Sequence, residues 1–427
     1  MSALYDIYLR RPRIEANRII YSWAGFPLLG GESFWIEYPE SVSLEDSSYE
    51  VLAPYLAACL AFAAFGKVRA HLPVRLDEAV LGLWLEFIRG MAAVVYRRAF
   101  AFEFVNGTER AEQHFWEGKE TALLFGGGTE SLLCLARLRQ DGLNPVLVGL
   151  CGPNWEGSNE EINPHKFELQ DKAAKDMGLA SVKVRTSFRE VFKSHDELWK
   201  GLLLDGTHNI VTTALFSVFP FTFLFPVAAQ WRLSRVVAGN EKDNNAGKFF
   251  YASSAEATGR LKGLHPCFSY DSYLNDIYKM DVARELFLKY PQYLPYHYSC
   301  IPNQRQRWCL ECPKCLCSYL YYKLYNIPPA VAGFDEALIA KRMPNLIWRC
   351  RWHLVSGDPG EPLDYLNFLR EAQASGNQEV VSIIRQMLDN IWWIRFLNFF
   401  RRLGIVQAFK KPLKKVFYLL HGHSIKI

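Results

Sequence analysis

The chain has 427 residues, half of them hydrophobic and 22% charged, with a net charge of +5 at neutral pH. This is ordinary globular composition at a length that suits two or three packed units, so a disordered or fibrous chain is excluded. A charge this mild does not by itself point to nucleic acid.

Residues 1–13 carry early charges and no apolar stretch of signal-peptide length. Residues 1–116 mix expected strands at Arg18–Ser22 and Ser33–Tyr38 with helical patterns at Tyr55–Phe65 and Asp77–Tyr96. No catalytic motif falls there, and the stretch reads as an accessory α+β domain. From 117 the texture changes to strands alternating with helices. Strands are expected at Ala122–Phe125, Val146–Leu150, Ser181–Arg185 and Arg235–Ala238. Helices are expected at Thr129–Gln140, at Pro164–Met177 ending at Gly178, and over Val211–Leu224. Such alternation predicts βαβ units, a parallel sheet and right-handed crossovers. The fold class is therefore α/β, with the core at 117–330 and a helical extension at 331–427. The most apolar stretch, 210–231, contains Pro220, Pro226 and Gln230, and reads as a buried helix broken by prolines rather than a membrane span. The tail from Asn390 carries Lys and Arg without Asp or Glu, together with Trp392, Trp393, Phe396, Phe399 and Phe400. A C-terminal helix docked by its aromatic face accounts for it; a peripheral membrane contact is the other reading.

Two motifs carry chemistry. The first is the expected strand at Ala122–Phe125 followed by Gly126, Gly127 and Gly128, then Thr129, Glu130 and Ser131 at a helix start. Glycines let the backbone approach an anion, and the helix N-terminus offers free N–H groups and a favourable dipole. The arrangement suits a phosphate, with the hydroxyls of Thr129 and Ser131 as further donors. A second turn, Gly239-Asn240-Glu241, ends another expected strand on the same edge of the sheet, where ligands of α/β sheets bind.

The second motif is the cysteine run. The chain has ten cysteines. Cys300, Cys309, Cys312 and Cys315 have the spacing of a four-thiolate site, which would be closed and structural on Zn²⁺; an iron–sulfur cluster is the chemical alternative. Cys317 reads as core. The scattered remainder does not form a secreted disulfide framework and points to a reducing, cytoplasmic setting.

Taken together, these features resemble the PP-loop ATP pyrophosphatase superfamily, whose Ser-Gly-Gly-x-Asp-Ser motif aligns with Gly126-Gly127-Gly128-Thr129-Glu130-Ser131. The cysteine spacing is similar to that of 7-cyano-7-deazaguanine synthases. The run from Tyr290-Pro291-Gln292-Tyr293 to Cys315, with Asn240-Glu241, is most similar to the MurL-type UDP-N-acetylmuramoyl-L-alanyl-L-glutamate epimerases of peptidoglycan biosynthesis. The resemblance spans 117–330. It departs at Thr129, where those epimerases carry lysine, at Glu130, where the superfamily carries aspartate, and after Glu241, where Lys242-Asp243-Asn244-Asn245 replaces smaller residues.

What the resemblance implies is adenylation of a substrate carboxylate by ATP with release of pyrophosphate. The cofactors would be ATP, Mg²⁺ and a structural Zn²⁺. The substrate would be a small carboxylate or peptide, UDP-linked ones included; no nucleic-acid module is visible. Gly126, Gly127, Gly128, Thr129, Ser131 and Asn240 would bind nucleotide. Glu130 and Ser131 would serve the loop, Glu130 by holding Mg²⁺. His208 and Glu241 would face the reacting carbon, with His208 as general base. Cys151 at a strand end is a further acid–base candidate, with core packing as its bland reading, and Lys242 a substitute for the missing loop lysine, with a solvated charge as its bland reading. Epimerisation, capture of the adenylate by ammonia, and a nucleotide-binding protein without turnover are the three readings.

Overall fold

The computed structural model describes residues 4–25, 33–96, 100–152, 164–188, 191, 202, 215, 218–242, 259–299, 307–356 and 361–388. The chain divides into two compact units: residues 1–309 with 330–333, and 310–329 with 334–427.

The first unit is built on one mixed sheet. Its strands are β1 (Leu4–Leu9), β2 (Arg13–Glu15), β3 (Arg18–Ala24), β4 (Ser33–Glu37), β5 (Lys67–His71), β6 (Ala101–Val105), β7 (Glu120–Leu124), β8 (Val146–Cys151), β9 (Ser181–Thr186), β10 (Leu233–Val237) and β11 (Ser269–Asp271). The order across the sheet is β11-β10-β7-β8-β9-β4-β3-β1-β5-β6, with β2 paired to β3. From β11 to β9 every pairing is parallel. β4 pairs antiparallel to β9 through Ile36↔Thr186 and Glu37↔Arg185. The sheet therefore runs unbroken past residue 116, where the change of texture in the sequence suggested a domain boundary.

Burial follows from these pairings. β7 and β8 are apolar runs buried on both faces, as central parallel strands require. β3 and β4 alternate buried and half-buried residues, as half-covered antiparallel strands do. Over the N-terminal strands lies α1 (Tyr49–Ala63), whose fifteen residues are all buried. Its sequence is apolar on every side, apart from Glu50, which suits a helix enclosed by its neighbours. Ser48 caps it, its hydroxyl accepting from Val51 N. α2 (Glu78–Val95) packs against α1 with the apolar side that includes Trp84, Phe87 and Ile88.

The core helices follow the expected spacing: α3 (Thr129–Gln140) and α4 (Pro164–Met177). Of the helix expected over 211–224, residues 211–214, 216 and 217 lie outside the described residues, and 218–223 is helical. This part is α5 (Val218–Phe223), and a second short helix, α6 (Phe225–Trp231), follows after Leu224. Pro226 lies in the first turn of α6 and has no N–H to continue the ladder. No helix of the described residues is long and apolar enough to cross a membrane. The aromatic centre of this segment packs on α1 and on β4. Phe34 of β4 lies against Tyr21, Phe188 and Phe219, with ring centroids 4.7, 5.5 and 6.3 Å away. α7 (Lys279–Lys289) is fastened to α3 by the Arg137–Glu285 pair at 2.6 Å.

The second unit is helical where it is described: α8 (Pro313–Leu324), α9 (Glu336–Ser356), α10 (Glu361–Ala374) and α11 (Gln378–Leu388). Tyr321 of α8 stacks on Phe368 of α10 at 4.8 Å. Asn377 caps α11, accepting from Val380 N, and donates to Lys323 O. The aromatic basic tail from Asn390 lies outside the described residues.

Phe34→Ala removes a buried ring that packs β4 against Tyr21, Phe188 and Phe219 beside the β4–β9 pairing. It is expected to cost about 3–5 kcal/mol, read as a lower urea midpoint. Hydrogen exchange should accelerate in β7–β9 as well as in β1–β3. Acceleration confined to β1–β3 would contradict a single continuous sheet.

Candidate functional site

The site lies where the strand order reverses. β7 starts the series that continues outward through β8 and β9, whereas β10 and β11 lie on its other side. The loops leaving β7 and β10 lie side by side at the carboxyl ends of these strands, the place where α/β sheets bind ligands in a crevice. The glycine triplet leaves β7, and Gly239-Asn240-Glu241 leaves β10.

These two loops meet closely. A Cβ on Gly239 would stand 2.8 Å from Glu130 Cβ, 3.0 Å from Glu130 C and 3.1 Å from Ser131 N. Only glycine lets the β10 loop lie against the first turn of α3. Gly128 is the N-cap of α3, extended and without a side-chain cap hydrogen bond. The first amides of the helix are thus not taken by a capping side chain. Ser131 Oγ donates to Gly128 O at 3.1 Å. The Glu130 carboxylate folds back over Gly128, with Oε2 3.0 Å from where a Cβ would be. Anionic phosphate beside that carboxylate requires a cation between them.

Gly127 has φ +74°, and a Cβ there would lie 3.3 Å from both Tyr296 O and Tyr298 Cβ. Tyr298 N donates to Gly127 O at 2.7 Å. Residues 296–299 are therefore docked across the glycine loop. This brings in His297, which the sequence reading did not single out. It is fully buried; its Nε2 lies 3.4 Å from Thr129 Oγ1 and 3.2 Å from Ser299 Oγ. Burial, reinforced by the Arg307 guanidinium, pushes the imidazole down to about 3, so it is neutral near pH 7. Arg307 donates to Pro295 O at 2.6 Å and His297 O at 2.9 Å, holding the segment in place. The available signal was position: His297 lies inside the run between Tyr290 and Cys300, which was read as spacing.

Other expected residues lie at the edge of this crevice. Asn240 is buried and donates to Tyr270 OH at 3.2 Å. Glu241 faces Lys279 at 3.8 Å, and the Lys242 ammonium sits 4.8 Å from the Tyr278 ring centroid. Cys151 ends β8, half-buried and paired in register with Arg185. His208 and Cys300 lie outside the described residues.

Cys309, Cys312 and Cys315 place their sulfurs within 4.8 Å of one another. Cys312 Sγ and Cys315 Sγ are 3.4 Å apart. Three thiols this close suit Zn–S bonds of about 2.3 Å, so the cluster can bind a metal such as zinc. Cys312 is the N-cap of α8 and Cys315 lies in its first turn, so helix geometry sets their spacing. Leu310 takes a left-handed conformation, φ 51°, between Cys309 and Cys312. A non-glycine residue in that region costs roughly 1 kcal/mol or more, and such outliers gather at ligand clamps.

No family model, curated protein or solved structure matches this chain.

Two outcomes follow from this geometry. His297 releases its proton on folding, since about 6.5 is the ordinary value and about 3 the folded one. The unfolded chain then binds a proton that the folded chain rejects, so stability falls as pH drops from 6.5 towards 3. The residue contributes a slope of about 1.4 kcal/mol per pH unit in that window. Urea denaturation between pH 4 and 7 should show the slope reduced by that amount in His297→Gln; equal slopes would contradict a neutral His297. Purified protein should contain stoichiometric zinc, and a strong chelator should lower Tm. Cys312→Ser should lower the zinc content, and an unchanged content would place the metal elsewhere.

Proposed function

We propose that the protein activates a substrate carboxylate by adenylation, consuming ATP and releasing AMP and pyrophosphate, and that the outcome is epimerisation at the neighbouring carbon. The observation that carries this reading is the meeting of Gly126–Ser131 with Gly239–Glu241 at the point where the parallel strand order reverses. A single glycine turn is common; two such loops in contact at that crevice favour a nucleotide polyphosphate. The resemblance of these residues to PP-loop enzymes supplies the reaction class.

In this reading a carboxylate oxygen attacks the α-phosphorus and the bond to the bridging oxygen breaks, so pyrophosphate leaves. The mixed anhydride draws electrons from the adjacent carbon and acidifies its proton. A base removes that proton, a proton returns to the opposite face, and water then releases AMP. Gly126, Gly127 and Gly128 would cradle the phosphates with their amides, and Ser131 would hold the loop closed. Glu130 would hold Mg²⁺, which supplies neutralisation of the charge on the leaving pyrophosphate. The neutral His297 would orient the Thr129 hydroxyl towards the nucleotide. Asn240 would line the nucleotide side of the crevice. Glu241 and His208 are the proposed acid–base pair. Zinc at Cys300, Cys309, Cys312 and Cys315 would be structural. A thiolate cluster of this kind is kept in a reducing compartment, the cytoplasm.

The test is the fate of ATP with candidate carboxylates, including amino-acid and UDP-linked peptide acids. AMP and pyrophosphate should form only with the right acid, and deuterium from D₂O should enter its α-carbon. AMP formation that depends on ammonia, without deuterium entry, would replace epimerisation by amidation or nitrile formation. Glu130→Ala and Gly239→Ala should each lower turnover by a hundredfold or more while the fold is retained. ATP binding without turnover, unaffected in biological activity by Glu130→Ala, would sink the enzymatic reading.

A further inference from the structure

A second group of metal-ligating side chains lies in the first unit, around the start of α1. It starts from Glu50, a carboxylate in the first turn of an otherwise apolar helix and only 2% exposed. Its burial is satisfied by nitrogen donors. His114 N donates to Glu50 Oε1 at 3.1 Å, and His265 Nε2 lies 3.3 Å from the same oxygen. His265 Nδ1 accepts from Cys267 N at 3.1 Å, so its proton is on Nε2 and is given to Glu50. The other oxygen, Oε2, lies 2.9 Å from His114 Nδ1.

This last contact decides the chemistry of His114. An ionised carboxylate only accepts, so Nδ1 carries a proton and Nε2 is the remaining nitrogen. Nε2 is turned towards carboxylates: Glu45 Oε2 lies 3.5 Å from it. Donor atoms of Glu45, Glu112 and His114 all lie within 4.8 Å of one another. The backbone fixes this meeting, since Tyr49 N donates to Glu112 O at 2.6 Å and Glu112 N to Ser47 O at 3.3 Å. Among the described residues no Lys or Arg stands in ion-pair range of Glu45 or Glu112; the nearby Arg11 is engaged by Asp46 and Glu109. A lone pair on Nε2 facing two carboxylates is repulsive, so a positive charge belongs between them. It is either a proton on Nε2 or a metal ion.

We propose that Glu45, Glu112 and His114 form a site for a divalent transition-metal ion such as zinc, with the buried Glu50 as the carboxylate that orients the histidine. One nitrogen and two carboxylate oxygens are a donor set that zinc accepts. A metal-bound histidine ordinarily gives its other N–H to a carboxylate, as His114 does here. The spacing of 3.5 Å between Nε2 and Oε2 matches the edge of a tetrahedron with bonds of about 2.0–2.2 Å. Three protein ligands leave a coordination position. Glu45 and Glu112 also line a surface cleft of about 920 Å³, together with Arg11, Arg13, Ile14 and Leu44. The site would join the 112–114 segment to the start of α1. It is independent of the adenylation reading.

The experiment is metal titration of the full chain with Zn²⁺ and with Co²⁺. Cobalt on thiolates absorbs strongly in the near ultraviolet, whereas cobalt on oxygen and imidazole nitrogen does not. The wild-type chain is expected to bind one more equivalent than His114→Ala, with the thiolate absorption equal in the two proteins. Glu45→Gln combined with Glu112→Gln should lose the same equivalent. These two side chains are exposed, so that variant keeps the test valid if His114→Ala fails to fold. Glu50→Gln should weaken binding of this equivalent by about 10–100-fold. Unchanged equivalents and affinity in the Glu45 and Glu112 double variant would overturn the proposal and leave a proton as the charge between the groups.

Discussion

The close contact between the β10 loop and the first turn of α3 is the constraint on which the geometry of the candidate site depends. β10 pairs parallel to β7, with Val237 opposite Leu123, so both strands end at one level. The loops leaving them must then share a small space. Gly239 makes this possible by presenting bare backbone to Glu130 and Ser131. A larger residue would push α3 away from the reversal point, and with it the uncapped amides that make a helix start attractive to anions.

The same loop is held from its other side. The segment 296–299 crosses Gly127 and bonds to its carbonyl, and Arg307 fixes that segment through two carbonyl oxygens. These contacts make the segment 296–299 one wall of the candidate site. His297 is part of this wall. Its neutrality follows from complete burial beside a cation, and a neutral imidazole can set a hydroxyl without competing for a phosphate charge.

The N-terminal half solves a different problem. α1 is enclosed on all sides, and a carboxylate at its start has to be met by donors or by charge. Burial alone would push Glu50 up, but hydrogen bonds from His265, its own backbone N–H and His114 hold it below the usual carboxylate range. The histidines come from segments 64 and 215 residues away in sequence. That distance is why the cluster has no signature in the chain, and why a region with no recognisable motif contains ordered polar chemistry.

Local pattern was legible wherever one period dominated. The α3 helix is where its apolar spacing placed it, from Thr129 to Gln140, and the apolar runs at 122–125 and 146–150 are central parallel strands, because such strands are buried on both faces. The cysteine run was legible because ligand spacing within a helix start is local. Two things were not. The pairing of β4 with β9 carried one sheet across a change in sequence texture, since pairing between residues as far apart in the chain as Ile36 and Thr186 leaves no local trace. His297 and Glu50 gained their environments entirely from distant neighbours. By itself, then, the sequence determined the elements and the two motif loops, through periodicity, glycine and cysteine spacing. The strand order that brings those loops together, and the burial that sets the state of each titratable group, were decided only by the tertiary structure, because both depend on contacts between residues far apart in the chain.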